Sequence, residues 1–185
     1  MSRLIIGLVG RKGSGKGTVA KILHDRYGAD VHRYSDILRT ILDQLFIDKS
    51  RENLVKLSEI LRHGFGEDIL KRVMTKKIEL EDAPLVVIDG IRRTEDLEGL
   101  DQLGDFTLVT VDAPLETRFE RLRLRGENAG ESTRTMESFV QMEHASTEVT
   151  IGEVEHLAWK KITNAGTYEE LVSVIDDMMK ELGRA

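Results

Sequence analysis

The stretch Gly10-Arg11-Lys12-Gly13-Ser14-Gly15-Lys16-Gly17-Thr18 restricts the possible folds of this chain more than any other. A short apolar run rich in branched residues, Leu4-Ile5-Ile6-Gly7-Leu8-Val9, precedes it, and Val19-Ala20-Lys21-Ile22-Leu23 opens a helical pattern after it. A glycine-rich turn between a buried strand and a helix start is a ready phosphate site. Glycines let the backbone curl round an anion with its N–H groups inward, and the helix N-terminus adds positive potential. In such a P-loop Gly13, Ser14, Gly15, Lys16 and Gly17 line the phosphates. Lys16 reaches the outer ones, and the Thr18 hydroxyl serves phosphate or Mg²⁺. The order strand, loop, helix sets this apart from an incidental glycine turn. No reading of Gly10, Gly13, Gly15 and Gly17 satisfies the dinucleotide spacing Gly-x-Gly-x-x-Gly.

With 185 residues, the chain can bury one good core and is too short for two ordinary domains. Its 40% hydrophobic and 32% charged residues fit a soluble globular protein. No apolar run approaches a membrane span, the signal-peptide order is absent, and there is no cysteine for disulfides or thiolate metal sites. A cytoplasmic protein without a membrane partner is expected. The net charge of −6 argues against general nucleic-acid affinity but not against a nucleotide, since arginines can gather in one cleft. Oligomeric state is open, and a monomer is compatible with the sequence.

Further along, the first helix is expected to stop at Gly28, and residues 30–34 form a second strand, polar for a central one. Ser35 or Asp36 is expected to cap a helix with Ile37, Leu38, Ile41, Leu42 and Leu45 at helical spacing. Helical stretches at 50–63 and 66–80 make an inserted lobe. Leu85-Val86-Val87-Ile88 is a strand ending at Asp89-Gly90, followed by a helix over 94–103 and a strand over 106–111. Pro114 opens a helix running to Arg125, residues 126–132 form a polar loop, and helical pattern resumes over 135–149. A short strand at 159–163 precedes a last helix with a capping box, Thr167 with Glu170. That helix is expected to bury Leu171, Val174, Ile175, Met178 and Leu182. Alternating strands and helices predict an α/β fold, a parallel sheet of about five strands flanked by helices, with ligands beyond the strand C-termini.

The polar residues at those ends are the candidates. Asp89 ends an apolar strand, as a metal-side aspartate or a turn residue does. Gly90 follows it where water-activating ATPases carry glutamate. Arg92 and Arg93 could grip a phosphate bidentately or pair with Glu95 and Asp96. Arg118, Arg121 and Arg125 form a helical stripe that either closes over phosphates or is a solvated face beside Glu116 and Glu120.

Together these segments resemble, in order along nearly the whole chain, the adenylate kinase-like P-loop kinases, which include nucleoside monophosphate kinases, cytidylate kinase and dephospho-CoA kinase. The Gly-Lys-Gly-Thr variant, with Gly17 in place of the hydroxyl residue, matches the family loop. Ser35-Asp36-Ile37-Leu38-Arg39 is similar to Gly-Asp-x-Leu-Arg, which gives Arg39 an acceptor-phosphate role. Asp89-Gly90-Ile91-Arg92-Arg93-Thr94 resembles Asp-Gly-Phe-Pro-Arg-Thr, giving Arg93 a second one, with Arg92 where proline is usual. Asp112-Ala-Pro-x-Glu leading to Arg121 and Arg125 resembles the segment into the lid, where the first arginine packs near the donor base and the second contacts phosphates. Asn164-Ala165-Gly166-Thr167 resembles the turn bordering adenine.

The resemblance implies ATP as donor, Mg²⁺ as cofactor and a small-molecule nucleotide acceptor. It implies a core of residues 1–35, 81–125 and 150–185, an acceptor lobe at 36–80 and a lid at 126–134, with Arg134 a lid candidate. Arg62 is a further acceptor-site candidate, and Asp36 and Asp89 line the acceptor side. The reaction implied is γ-phosphoryl transfer to a nucleoside or deoxynucleoside monophosphate. Dephospho-CoA kinase is the alternative, with Asp36 as the available base. However, Arg33 and Ser35 stand where that family carries Asp-x-Asp. A nucleotide-binding switch with little turnover is the reading from another class.

Overall fold

A computed structural model describes residues 2–125, 135–143 and 146–184. The strand expected before the loop is β1, Leu4–Val9, buried along its whole length. It sits at the centre of a five-stranded sheet with β2 (Asp30–Arg33), β3 (Leu85–Ile91), β4 (Asp105–Asp112) and β5 (Lys160–Thr163), in the order β2-β3-β1-β4-β5. Every neighbouring pair is parallel. The polarity of β2 now has a reason: it is an edge strand.

Side chains alternate between two cores, one per sheet face. Leu4, Ile6 and Leu8 of β1 join Leu85 and Val87 under α1 (Lys16–Tyr27) and α8 (Tyr168–Glu181). Ile5 and Val9 join Val86 and Ile88 on the other face, under α2 (Tyr34–Gln44), α4 (Ile69–Leu80) and α7 (Ser146–Glu155). Each fully buried Leu or Ile is worth about 1.5–3 kcal/mol, so these two layers hold the polar strand ends in place. The helix α3 (Arg51–Phe65), capped by Ser50, has no buried residue and lies outside α2 and α4. Two further helices, α5 (Leu115–Arg125) and α6 (Met136–Glu143), complete the described chain. Among the described residues no helix is long and apolar enough to cross a membrane.

Four local expectations are corrected. The second helix begins at Tyr34, with Arg33 as its N-cap rather than Ser35 or Asp36. The buried Tyr34 ring anchors this first turn, and its hydroxyl donates to the Asp96 carbonyl at 3.4 Å. The helix expected over 94–103 is instead two single 3₁₀ turns, Thr94–Asp96 and Leu100–Gln102, parted by Gly99 at φ 78°. Strand β3 runs on to Ile91 because Leu8 pairs with Asp89 and Val9 with Ile91, leaving Gly90 as a bulge. Its φ of 91° is what makes the bulge possible. In α8 the capping box forms as expected, but Val174 is exposed and Met179 is buried in its place. The lid segment 126–134, with Arg134, lies outside the described residues.

Candidate active site

Beyond the carboxyl ends of the strands the chain supplies, in sheet order, Arg33, Asp89, the loop after β1, Asp112 and Asn164. The loop is held from the β5 side. Asn164 is buried; its backbone N–H donates to the Asp112 carbonyl at 2.7 Å, and its Nδ2 donates to the Ser14 carbonyl at 2.9 Å. Arg121 in turn donates to the Asn164 carbonyl at 3.0 Å and to Oδ1 at 3.3 Å. Gly15 has φ 98°, and a Cβ there would lie 2.0 Å from Asn164 Nδ2. The loop and its brace therefore interlock. A cleft of about 160 Å³ opens beside them, lined by Gly15, Thr18, Arg121, Asn164, Gly166 and Tyr168 among others.

Lys16 Nζ donates to the carbonyls of Gly10 at 2.7 Å and Arg11 at 3.2 Å, so its ammonium lies over the loop. The Ser14 hydroxyl is buried and has no hydrogen-bond partner, an orphaned polar group inside the loop. Such an orphan, with N–H groups and a lysine around it, fits a phosphate-bearing ligand. Thr18 is exposed at the mouth.

The arginine stripe of α5 divides. Arg118 is 4% exposed, donating to the Ala113 carbonyl at 3.1 Å and to the Lys12 carbonyl at 3.4 Å, with its guanidinium 5.6 Å from the Phe139 ring centre. It is not a solvated residue but a brace against the loop. Arg121 faces Asn164. Arg125 ends α5, and its side chain lies outside the described residues.

On the β3 side, Asp89 is buried and its Oδ2 lies 3.0 Å from Arg33 Nε. Arg33 Nη2 lies 3.4 Å from where a Cβ on Gly17 would be, so this guanidinium spans from β3 to the first turn of α1. The Arg93 guanidinium forms its ion pair with Glu67, while its charge also acts on the Asp96 carboxyl. Arg93 Nη1 lies 3.5 Å from Glu67 Oε2, and Arg62 Nη1 lies 3.9 Å from that same oxygen. Asp96 instead takes the backbone N–H groups of Arg92 (3.1 Å) and Arg93 (3.2 Å), folding the turn that presents both. Burial pushes its carboxyl above the usual range, against those two donors. Arg92 is exposed, Arg39 half-buried on α2, and Asp36 exposed in the first turn of α2, where a carboxylate favours the helix terminus. Among the described residues no three His, Asp or Glu side chains gather as a metal cluster.

Arg33, Glu67, Asp96, the Arg118 brace and the side-chain role of Asn164 were not legible beforehand. Arg33 was within reach: it is the last residue of β2, and reading strand ends one residue earlier would have found it. Replacing Asn164 with Ala is expected to remove the Nδ2 bond to the Ser14 carbonyl and the Arg121 bond to Oδ1, while Arg121 keeps the backbone carbonyl. The expected loss is about 1–3 kcal/mol, at about 2–4 °C per kcal/mol for a domain of this size. Thermal melts with and without ATP check this, and an unchanged melt would show that the brace is slack.

The comparisons with known proteins fit this geometry. Residues 9–140 match a family model described as an AAA domain. A "UPF0200 protein" of Sulfurisphaera tokodaii is 31% identical over 179 residues, covering 96% of this chain and 97% of that protein. One from Hyperthermus butylicus is 32% identical over 180 residues, covering 97% and 95%. Among solved structures, shikimate kinase from Bacteroides thetaiotaomicron superposes with a TM-score of 0.67 at 14% identity, covering 97% of this chain and 98% of that one. TT1252 from Thermus thermophilus does so with 0.60 at 21% identity, covering 98% and 99%. With a five-stranded parallel sheet, a braced phosphate loop and these relatives, the chain belongs to the AAA-domain family matched here and, by its full-length relatives, to the UPF0200 proteins, on a P-loop kinase fold.

Proposed function

We propose that the protein moves the γ-phosphoryl group of ATP to the phosphate of a nucleoside or deoxynucleoside monophosphate, giving the diphosphate and ADP. The observation that carries this reading is the convergence of Arg62 and Arg93, from different elements, on one carboxylate oxygen of Glu67. Arg62 also donates to the Glu67 backbone carbonyl, and two guanidinium groups within 3.9 Å of one exposed carboxylate oxygen form a pair that an acceptor phosphate could take in its place. A phosphate acceptor is already a nucleophile and requires no general base. The dephospho-CoA alternative attacks through a hydroxyl and does require one. Its candidate, Asp36, is exposed in a helix first turn, and Arg33 stands where that family has aspartate.

In this reading Lys16 and the loop N–H groups hold the donor phosphates, and Arg121 lies beside the donor base. Arg121 and Arg125 neutralise the transferred group, while Arg39, Arg62 and Arg93 hold the acceptor. Helices α2 to α4 serve as the acceptor lobe and 126–134 as the lid. Mg²⁺, when bound with the nucleotide, screens charge on the β- and γ-phosphate oxygens. Thr18 fits it directly, and Asp89 does so on condition that Arg33 shares or releases Oδ2.

Coupled ADP release, screened with common mono- and deoxymononucleotides and dephospho-CoA, tests the reading. A single monophosphate class is expected to respond. Within that assay Arg93→Ala is expected to raise the acceptor KM and lower kcat by about tenfold to a hundredfold with ATP affinity nearly unchanged. Arg93→Lys recovers only part, since a point charge lacks the fork. Response to dephospho-CoA alone, or to no acceptor, overturns the assignment.

A further inference from the structure

The strand order arranges the strand-end groups in sequence across the cleft. The cleft beside Asn164 lies at the β5 side, the loop follows β1 at the centre, and Asp89 and Arg33 lie beyond it on β3 and β2. A nucleotide with its base in the β5-side cleft therefore runs its phosphates past Lys16 toward β3 and β2. Its terminal phosphate ends on the side of Arg33.

Arg33 is held in an unusual place. Its guanidinium lies beside Gly17, the second residue of α1, where the helix dipole already carries positive potential. A cation there is repelled by the helix. The Asp89 carboxylate, 3.0 Å away, offsets that repulsion, and an anion lying between the guanidinium and the helix terminus would turn it into attraction. The Arg33 side chain is 43% exposed and lies beside Gly17, so it is open to a ligand at the loop and is not sealed in the core.

We propose that Arg33 is a ligand of the terminal phosphate of the bound nucleotide, bridging it to Asp89, and that it makes the site prefer a triphosphate over a diphosphate. This rests on the donor-site reading above but not on the identity of the acceptor. The contending role is a purely structural Arg33–Asp89 ion pair.

Titration calorimetry of the full chain with ATP and with ADP, Mg²⁺ present throughout, separates the two. The wild type is expected to bind ATP more tightly than ADP. Arg33→Met is expected to weaken ATP by about tenfold to a hundredfold and ADP by no more than about threefold, erasing the preference. Arg33→Lys is expected to restore part of it, because charge returns without the fork. Arg33→Gln, which keeps a hydrogen bond to Asp89 without the charge, should behave as Met does, and it carries the test if Met fails to fold. A lower melting temperature with the ATP-to-ADP ratio unchanged would establish the structural role and overturn the proposal. Retention of the Arg33-dependent preference without any acceptor-dependent ADP release would remove the phosphotransfer reading alone. A wild type that binds neither nucleotide overturns both.

Discussion

Lys16→Met is expected to lower turnover by about two orders of magnitude or more while the protein stays folded, the effect of removing a preorganised charge at the reacting group. Folding should tolerate the change because the loop is set by glycine geometry, and Lys16 is half-buried at the first position of α1 with its ammonium donating to the Gly10 and Arg11 carbonyls. Losing the bonds to the Gly10 and Arg11 carbonyls should remove about 0.5–1.5 kcal/mol each, the net worth of an ordinary intramolecular hydrogen bond. Circular dichroism melts and kcat, measured together, check the two halves of the expectation. A folded Lys16→Met protein with near-normal turnover would mean that the loop does not hold a reacting phosphate.

Gly15→Ala should be nearly as damaging by a different route. The residue has φ 98°, and the new Cβ would meet Asn164 Nδ2 at 2.0 Å. A left-handed backbone costs an alanine about 1–2 kcal/mol. Moving the Asn164 side chain aside forfeits its Nδ2 bond to Ser14 and its Oδ1 bond from Arg121, about 1–3 kcal/mol more. The melting temperature should fall by several degrees and ATP affinity should collapse, because the loop and the cleft wall share this one contact. Adding Asn164→Ala relieves the clash but not the backbone strain, so the double variant should regain part of the binding at most. Wild-type stability and ATP affinity in Gly15→Ala would refute the interlock between loop and brace.

Legibility from sequence followed the range of the interactions. The strand at 4–9, the loop, the first helix with its stop at Gly28, and the Thr167–Glu170 capping box all emerged as read, since each depends on residues within one or two turns. The helix expected over 94–103 is cut into two short turns by Gly99 at φ 78°, while the Asp96 carboxylate only caps the first turn through the N–H groups of Arg92 and Arg93. Helical spacing alone does not register a glycine that takes a left-handed backbone. Val174 failed for a similar reason of degree: it sits at the margin of a stripe that rotates toward Met179.

The charged residues were harder still. Arg118 looked like its neighbours Arg121 and Arg125 in sequence, yet it alone of the stripe is known to be buried, against Phe139 and the Lys12 carbonyl. Arg93 had Glu95 and Asp96 close by in the chain but pairs with Glu67, brought in by the turn between α3 and α4.

The sequence by itself determined that a parallel α/β sheet would form around a phosphate loop, because glycine placement, apolar alternation and helix caps are short-range properties. Only the tertiary structure decided which polar groups meet at its edge. Asn164 reaches Ser14 across 150 residues, and Arg33 finds Asp89, because the order β2-β3-β1-β4-β5 sets those strand ends side by side. An arginine carries the same charge wherever it stands. Its partner is chosen by the packing of two apolar layers that do not touch it.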